Sequence, residues 1–275
     1  MARSDIDHRN WNTMKLPLLP LLLAACFSAQ AHTPYLLPTS FEAQPGATVS
    51  MDAGFTEKFF LSDVAFGDTR FTLTAPDGSV SPIGDVRQFR TRTVAEQKLP
   101  QEKGTYRIST GPRLGAIFRS WERAGKVEVA RDPATPVPEG AKLLSHYQSL
   151  SVSEAYITAG SPTRAALKAS GEGLEIVPVT HPSDLFAGEA FEFLVHYQGQ
   201  PLADQKVEIF RSPMDMASQH SVERLQTDAR GRIAYTPAKP GVYLALVRYR
   251  SDAPAGAKAP QYGNNYTLTF RVLAQ

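Results

Sequence analysis

Residues 174–210 have the sequence LEIVPVTHPSDLFAGEAFEFLVHYQGQPLADQKVEIF, in which three short apolar runs are separated by two turn segments. In the middle run, every second residue from Phe191 to Tyr197 is apolar, so these side chains share one face of an extended chain. This alternation, bounded by Gly and Pro, is typical of antiparallel strands with one buried face. The stretch therefore predicts three strands, at residues 174–179, 190–197 and 207–210.

Similar short runs occur on both sides of this stretch. Residues 32–130 contain about six or seven of them, separated by turn residues about every ten positions, as at 76–79 (PDGS). Further on, residues 242–249 are almost entirely apolar and predict a central strand, and residues 266–272 alternate and predict the last strand. Many short strands with regular turns are typical of β-sandwiches. We therefore expect an all-β protein with two β-sandwich domains in tandem.

The clearest break in this pattern is at residues 132–140, which contain three prolines. Proline fixes φ and removes a backbone donor, so it disfavours both helix and sheet. The division that we predict has four parts: an export leader at 1–31, an N-terminal sandwich at 32–130, a Pro-rich linker and connecting segment at 131–170, and a C-terminal sandwich at 171–275.

One short pattern occurs in both expected sandwiches. Gly-x-Tyr begins a late strand at Gly104 and Tyr106, and again at Gly241 and Tyr243. Two sandwiches of similar design would each place the tyrosine at a corner, with its hydroxyl bonded to the backbone. The alternative is a chance recurrence in strands that contain Gly and Tyr.

The N-terminus has the layout of an export signal. Lys15 precedes the apolar residues 16–27, and residues 28–31 (SAQA) have the small-x-small pattern that signal peptidase cleaves, with Met14 as an alternative start. We expect cleavage after Ala31 and a periplasmic protein. Cys26, the only cysteine, supports a second interpretation, because residues 23–26 (LAAC) resemble the box at which bacterial lipoproteins are lipidated. A lipid anchor at Cys26 is therefore the alternative.

Charge and motifs exclude several function classes. The formal net charge is only +2, which is too small for a nucleic-acid-binding surface. No nucleophile elbow, zinc-protease motif, P-loop or dinucleotide fingerprint occurs, and the acidic residues are scattered, so no acid–base pair is indicated. Some of the acidic residues lie in the Phe-rich residues 55–66, where we expect an irregular connection between strands. We expect a binding protein and not an enzyme.

Histidines are the side chains best suited to chemistry here. Imidazole binds nickel, cobalt, copper and zinc, and none of the five histidines after residue 31 forms a local chelate with another, so the fold must assemble any site. His32 would become the first residue after cleavage, and its α-amino group, with a pKa near 8, could then chelate a metal together with the ring. A weaker alternative is a Cu(I) site at Met214, Met216 and His220. The candidate ligands are His32, His181, His196 and His146.

Several segments resemble one family, DUF4198, which is also described as the NikM-like periplasmic component of cobalt/nickel uptake systems. These segments are 173–182 with its LEIVP core, 185–189, 199–203, 227–232, 240–243 and the opening 31–38. The resemblance implies an exported protein of immunoglobulin- or transthyretin-like sandwiches that handles a divalent metal, nickel or cobalt before copper or zinc. It implies as partners the metal ion and an inner-membrane metal permease or an outer-membrane receptor, and it maps a ligand onto His32 alone.

Two functions of different classes follow from these features. The first is a periplasmic metal-binding accessory for nickel or cobalt uptake. The alternative is a cell-envelope binding or scaffolding module without metal, with the lipid anchor as an option. Fold alone does not decide between them, because sandwiches of this type serve many functions.

Overall fold

Strands account for nearly all of the regular structure. A computed structural model describes residues 32–132, 134–212 and 221–275. One 3₁₀ turn occurs in these ranges, at Ala165–Leu167. The strands there are β1 (Thr33–Pro38), β2 (Glu42–Ala43), β3 (Thr48–Thr56), β4 (Val64–Ala65), β5 (Thr72–Thr74), β6 (Val80–Pro82), β7 (Asp85–Gln88), β8 (Thr93–Lys98), β9 (Gly104–Ser109), β10 (Arg113–Arg123), β11 (Lys126–Ala130), β12 (Lys142–Ala159), β13 (Leu174–Pro178), β14 (Phe191–Tyr197), β15 (Gln200–Pro201), β16 (Lys206–Arg211), β17 (Ser221–Gln226), β18 (Arg232–Tyr235), β19 (Gly241–Asp252) and β20 (Gln261–Val272).

The strands form three sheets. The N-terminal sheet has the order β1-β3-β8-β7, with β4 beside β3. The C-terminal sheet contains β13, β14, β15 and β18. The long sheet has eleven strands and the main order β17-β16-β19-β20-β12-β9-β5-β6, with β2, β10 and β11 attached through β12 or β10. The expectation of an all-β, sandwich-type fold is confirmed.

The opening stretch of the sequence forms strands where the alternation placed them. β13, β14 and β16 correspond to the three predicted runs. On β14, Phe191, Phe193 and Val195 are buried, whereas Glu192 and His196 are half-buried on the other face. The pairing differs from a simple meander, because β13 and β14 belong to the C-terminal sheet and β16 belongs to the long sheet. The three runs therefore form both layers of one sandwich.

Two hydrophobic cores lie on the two faces of β12. The C-terminal core contains Tyr156 of β12 and is built mainly from β14, β16, β19 and β20. The N-terminal core contains Ala155 and Ile157 of the same strand, together with side chains from β3, β8 and β9. Successive side chains of a strand point to opposite faces, so one strand can serve both cores. This is how two sandwiches share the long sheet.

The connecting segment at 131–170 is the main difference from expectation. Residues 132–140 lie outside the strands, but most of the remaining segment is β12, a strand of 18 residues. β12 pairs in parallel with β20 and antiparallel with β9 and β10. The predicted boundary therefore falls inside a continuous sheet, and the described part of the chain forms one compact unit. Period-two patterning cannot reveal this, because it does not identify a strand's distant partners.

Both Gly-x-Tyr patterns form the same corner. The hydroxyl of Tyr106 donates to the carbonyl of Glu102 at 2.7 Å, and that of Tyr243 donates to the carbonyl of Lys239 at 2.6 Å. Each bond reaches four residues upstream. The preceding glycines, Gly104 and Gly241, have φ values of 155° and 146°, where a Cβ would be strained. The structural explanation of the repeat is confirmed.

The late strands follow the prediction with one change of position. β19 is central, between β16 and β20, as its apolar sequence indicates. β20 is longer than expected and lies inside the long sheet between β19 and β12. No helix in residues 32–132, 134–212 and 221–275 has the length and apolarity that a membrane span requires.

Candidate functional site

The register of two strands brings His32 next to an acidic residue. β1 pairs with β3 so that Thr33 is opposite Thr56. One step beyond this pair, His32 therefore faces Glu57. The two residues are far apart in the sequence, and only the antiparallel pairing of β1 with β3 brings them together.

The next turn of the chain adds a second carboxylate. β3 pairs with β4 so that Phe55 is opposite Val64, which returns the chain to the end of β3. The backbone N–H of Asp63 donates to the carbonyl of Phe55 at 2.9 Å, and the backbone N–H of Glu57 donates to Oδ2 of Asp63 at 3.1 Å. Asp63 is thereby placed beside Glu57, at the same end of β3.

Internal hydrogen bonds hold the connecting loop, residues 57–63, in shape. The hydroxyl of Thr56, only 1% exposed, shares its one proton between the nearby carbonyls of Lys58 and Leu61, and its oxygen accepts the N–H of Lys58 at 2.9 Å. Phe59 packs in a small cluster with Tyr35 of β1 and Phe210 of β16. The loop is therefore fixed both to its own strand and to the long sheet.

His32 and the two carboxylates line an open surface pocket of about 320 Å³, together with Lys58 and Leu61. Nε2 of His32 lies 3.8 Å from Oε1 of Glu57 and 3.8 Å from Oδ2 of Asp63. The three side chains are 37%, 55% and 48% exposed. At such exposure the ion pairs are screened by water and contribute little to stability.

The donor set suits a divalent cation, although the spacing is wider than a coordination sphere. Ligands at about 2.0–2.2 Å from one ion are about 3.0–3.5 Å apart, so the 3.8 Å separations must shorten by about 0.5 Å. Exposed Glu and Asp side chains can make that movement by rotation. As arranged, no group of three or more His, Cys, Asp or Glu side chains within the described ranges is set to hold a metal.

His181 has a structural role in this arrangement. It is 8% exposed, and its Nε2 lies 3.0 Å from the carbonyl oxygen of Thr163, which can only accept a hydrogen bond. Nε2 therefore carries the proton, and Nδ1 accepts from the backbone N–H of Ser183 at 3.2 Å. Burial lowers the pKa of His181, which favours the neutral ring. Both nitrogens are used, so no lone pair is available for a metal.

The other candidate ligands are not brought to the pocket. His196 is on β14, opposite Glu175, and its buried Nδ1 has no hydrogen-bond partner in the described part of the chain. His146 is near the start of β12, opposite Arg119 of β10. The Met214, Met216 and His220 loop lies outside the described residues, as do the leader and Cys26.

The amino-acid sequence points to His32 but not to the two carboxylates beside it. Glu57 and Asp63 are in the segment expected to be irregular, and no spacing rule pairs them with a residue 25 or more positions away. The one indication of their position in the sequence is that they lie within the Phe-rich residues 55–66, which anchor the loop in the structure. A search for other histidines near His32 would not find these neighbours, because both are carboxylates.

Comparisons with known proteins give little beyond a family. No curated protein matches the chain. Solved structures that match include the Yersinia pseudotuberculosis adhesin InvE (14% identity, TM-score 0.23, 88% of this chain and 58% of that one) and the D0–D1 domain of intimin (11%, 0.21, 86% and 96%). A DUF4785 family protein from Legionella pneumophila also matches (10%, 0.25, 84% and 54%).

At these TM-scores the similarities support no conclusion about this chain, which spans little more than half of the adhesin and of the Legionella protein. The family match is more extensive. The model of a family described as "Domain of unknown function (DUF4198)" matches residues 29–251, and the chain therefore belongs to the DUF4198 family.

Proposed function

We propose that this protein binds a divalent transition-metal ion at the His32 pocket and serves nickel or cobalt uptake or handling in the periplasm. The observation that carries the proposal is the convergence of one imidazole and two carboxylates, both 3.8 Å from Nε2 of His32, in an open pocket. A site with one imidazole nitrogen and two carboxylates suits nickel, cobalt, copper and zinc better than it suits calcium or magnesium, which prefer oxygen ligands only. The protein is a binder in this proposal and not an enzyme.

The three ligand-type residues of the pocket have separate roles. Nε2 of His32 supplies the nitrogen ligand, and Glu57 and Asp63 supply oxygen ligands and the negative charge that attracts a cation. The open pocket leaves further positions to water or to a partner, which suits an ion that must be released. The partner would be an inner-membrane metal permease or an outer-membrane receptor.

The geometry separates two ways in which His32 could act. The side chain presents Nε2 to the carboxylates, whereas a chelate with the α-amino group would use Nδ1, because only that nitrogen closes a small ring. The proposed site therefore does not require a free terminus. Chains that begin at Ala31 and at His32 should bind nickel equally if the side chains form the site. A loss of binding in the longer chain would instead favour the α-amino chelate.

Calorimetric titration with Ni²⁺, Co²⁺, Cu²⁺ and Zn²⁺ tests the proposal. His32→Ala, Glu57→Gln and Asp63→Asn should each weaken binding by at least about tenfold, since each removes a ligand. His146→Ala, a half-buried histidine on β12, is the matched control and should bind as the unaltered chain does. Binding no tighter than about millimolar in the unaltered chain would refute metal handling.

The alternative is a cell-envelope binding module without metal. The titration above separates the two functions. The intact mass of the protein isolated from its natural envelope separates cleavage after Ala31 from lipidation at Cys26.

A further inference from the structure

A second surface lies beside the pocket, at the tip of the hairpin that joins β7 and β8. Residues 87–92 have the sequence RQFRTR, with three arginines and no acidic residue. Phe89 at the tip is 57% exposed, which makes it one of the most exposed large apolar side chains in the described ranges. An exposed aromatic ring between arginines is not explained by the folding of the hairpin.

The hairpin tip is held firmly by the protein. The N–H of Phe89 donates to the carbonyl of Arg92 at 2.8 Å, which closes the turn. Nη1 of Arg92 bonds Oδ2 of Asp52 on β3 at 3.1 Å, and the hydroxyl of Ser62 donates to the carbonyl of Thr91 at 2.5 Å. These contacts hold the backbone of the turn that carries Phe89.

Two more exposed apolar residues belong to the segment that is bonded to this hairpin through Ser62. Leu61 precedes Ser62 and Val64 follows it by two positions, and they are 42% and 47% exposed. Arg90 is exposed as well, and so is Arg87, whose Nε lies 3.2 Å from Oδ1 of Asp85. Together, Leu61, Val64, Phe89, Arg87 and Arg90 are called the loop-tip surface. It is contiguous with the pocket, because Leu61 lines both.

We propose that the loop-tip surface docks onto an anionic lipid surface. Aromatic and aliphatic side chains insert at the boundary between headgroups and acyl chains, and neighbouring arginines pair with lipid phosphates. The loop-tip surface has both features on one rim. A nucleic acid fits less well, because single-strand binding uses several stacking rings along a basic groove, and here one ring is exposed.

The position on the chain supports the same occupant. His32, at the pocket, follows the leader directly. If Cys26 is lipidated, five residues lie between it and His32, and the six Cα–Cα steps of this segment reach about 20 Å. The loop-tip surface would then be a second membrane contact, and two signals are what stable attachment requires. The proposal does not depend on metal binding.

Vesicle co-sedimentation of the chain that begins at His32 tests the proposal. This chain is the compact unit without the apolar leader, which would itself enter lipid. Vesicles of phosphatidylcholine with about 30% phosphatidylglycerol should bind it, and pure phosphatidylcholine should bind it at least about fivefold less, as expected for Arg90 alone, because Asp85 offsets the charge of Arg87. Raising the salt to about 0.5 M should abolish the difference.

Two variants localise the contact. Phe89→Asp should weaken binding to the anionic vesicles by about tenfold or more, because it removes the inserted ring and adds a repelled charge. Val80→Asp is the matched control. Val80 is 63% exposed on β6, and its replacement by Asp introduces the same charge outside the loop-tip surface. It should reduce binding by no more than about twofold. Both changes are at exposed positions, so thermal unfolding should be unaltered.

Three results would overturn the proposal. Equal binding to both vesicle types would remove the lipid phosphate from the contact. Equal losses in Phe89→Asp and Val80→Asp would show only a general effect of charge. Tighter binding to polyglutamate or to single-stranded DNA than to anionic vesicles would identify an acidic macromolecule as the partner. Metal titrations of the same variants show separately whether the His32 pocket binds a metal ion, so a failure of lipid binding is not confused with a failure of metal binding.

Discussion

Replacement of Gly54 by Ala should disturb both the stability of the protein and the His32 pocket. Gly54 is on β3, opposite Ala65 of β4, under the loop that carries Asp63. A Cβ at Gly54 would lie 1.9 Å from Oγ of Ser62 and 3.0 Å from the carbonyl oxygen of Val64. Ser62 immediately precedes Asp63, so the loop must move or Ser62 must change its rotamer.

The size of the effect follows from these distances. An ordinary contact is at about 3.4–4.0 Å, so the Ser62 hydroxyl must move by about 1.5 Å or more and lose its bond to Thr91. Overpacking of this kind costs about 1–3 kcal/mol of unfolding free energy. For a chain of this size, that lowers the thermal midpoint by about 2–4 °C for each kcal/mol. If the loop moves, Asp63 moves with Ser62 and nickel affinity should fall at least about fivefold, whereas a change of the Ser62 rotamer alone would leave nickel affinity unaltered.

A double-mutant cycle gives the decisive measurement. Urea unfolding is measured for Gly54→Ala, Ser62→Ala and the double variant. Ser62→Ala alone should cost about 1 kcal/mol, from the lost hydrogen bond. The double variant should be more stable than the sum of the two losses predicts, by about 1 kcal/mol or more, because the colliding hydroxyl is gone. Additive losses, or a Gly54→Ala chain of unchanged stability, would refute the steric argument.

Three further predictions concern the fold. Tyr106→Phe and Tyr243→Phe should each lower the unfolding free energy by about 1 kcal/mol in urea titrations, because each removes one corner hydrogen bond; a loss in only one of them would contradict the equivalence of the two corners. Burial lowers the pKa of His181, so the unfolded chain binds a proton more readily, and stability should fall as the pH drops below about 6.5. His181→Gln should remove that part of the pH dependence, and an unchanged pH profile would count against this role. Gly263→Ala should destabilise the protein by about 1–3 kcal/mol in thermal unfolding, because its Cβ would lie 2.6 Å from both Nη1 of Arg250 and Cδ2 of Tyr147, and no change would show that both side chains are free to move.

Local sequence patterns predict where the strands are, but they do not predict which strands pair with each other. The alternation in 190–197 and the apolar run in 242–249 predicted β14 and the core of β19 within a few residues. The three prolines of residues 132–140 predict a connecting segment at 131–170. β12 within it has no strong alternation, since it is buried on both faces over its second half.

The candidate site is likewise only partly predictable from the sequence. His32 could be named from its place after the expected cleavage position and from imidazole chemistry. Glu57 and Asp63 could not be named, because their proximity depends on the register of β1 against β3 and on the turn from β3 to β4. Those registers are set by the burial of Tyr35, Met51 and Ala65 in the packed structure. A shift by one residue would turn these side chains to the opposite face.

The amino-acid sequence by itself determined the class of this protein: short alternating strands, Gly- and Pro-containing turns and two tyrosine corners specify β-sandwiches, because they act within a few residues of the chain. Tertiary structure alone decided that the two sandwiches share a sheet of eleven strands, that His181 is engaged at both ring nitrogens, and that His32 meets two carboxylates. These features arise from pairings between distant segments, and such pairings are selected by the packing of the whole core, which no local pattern records.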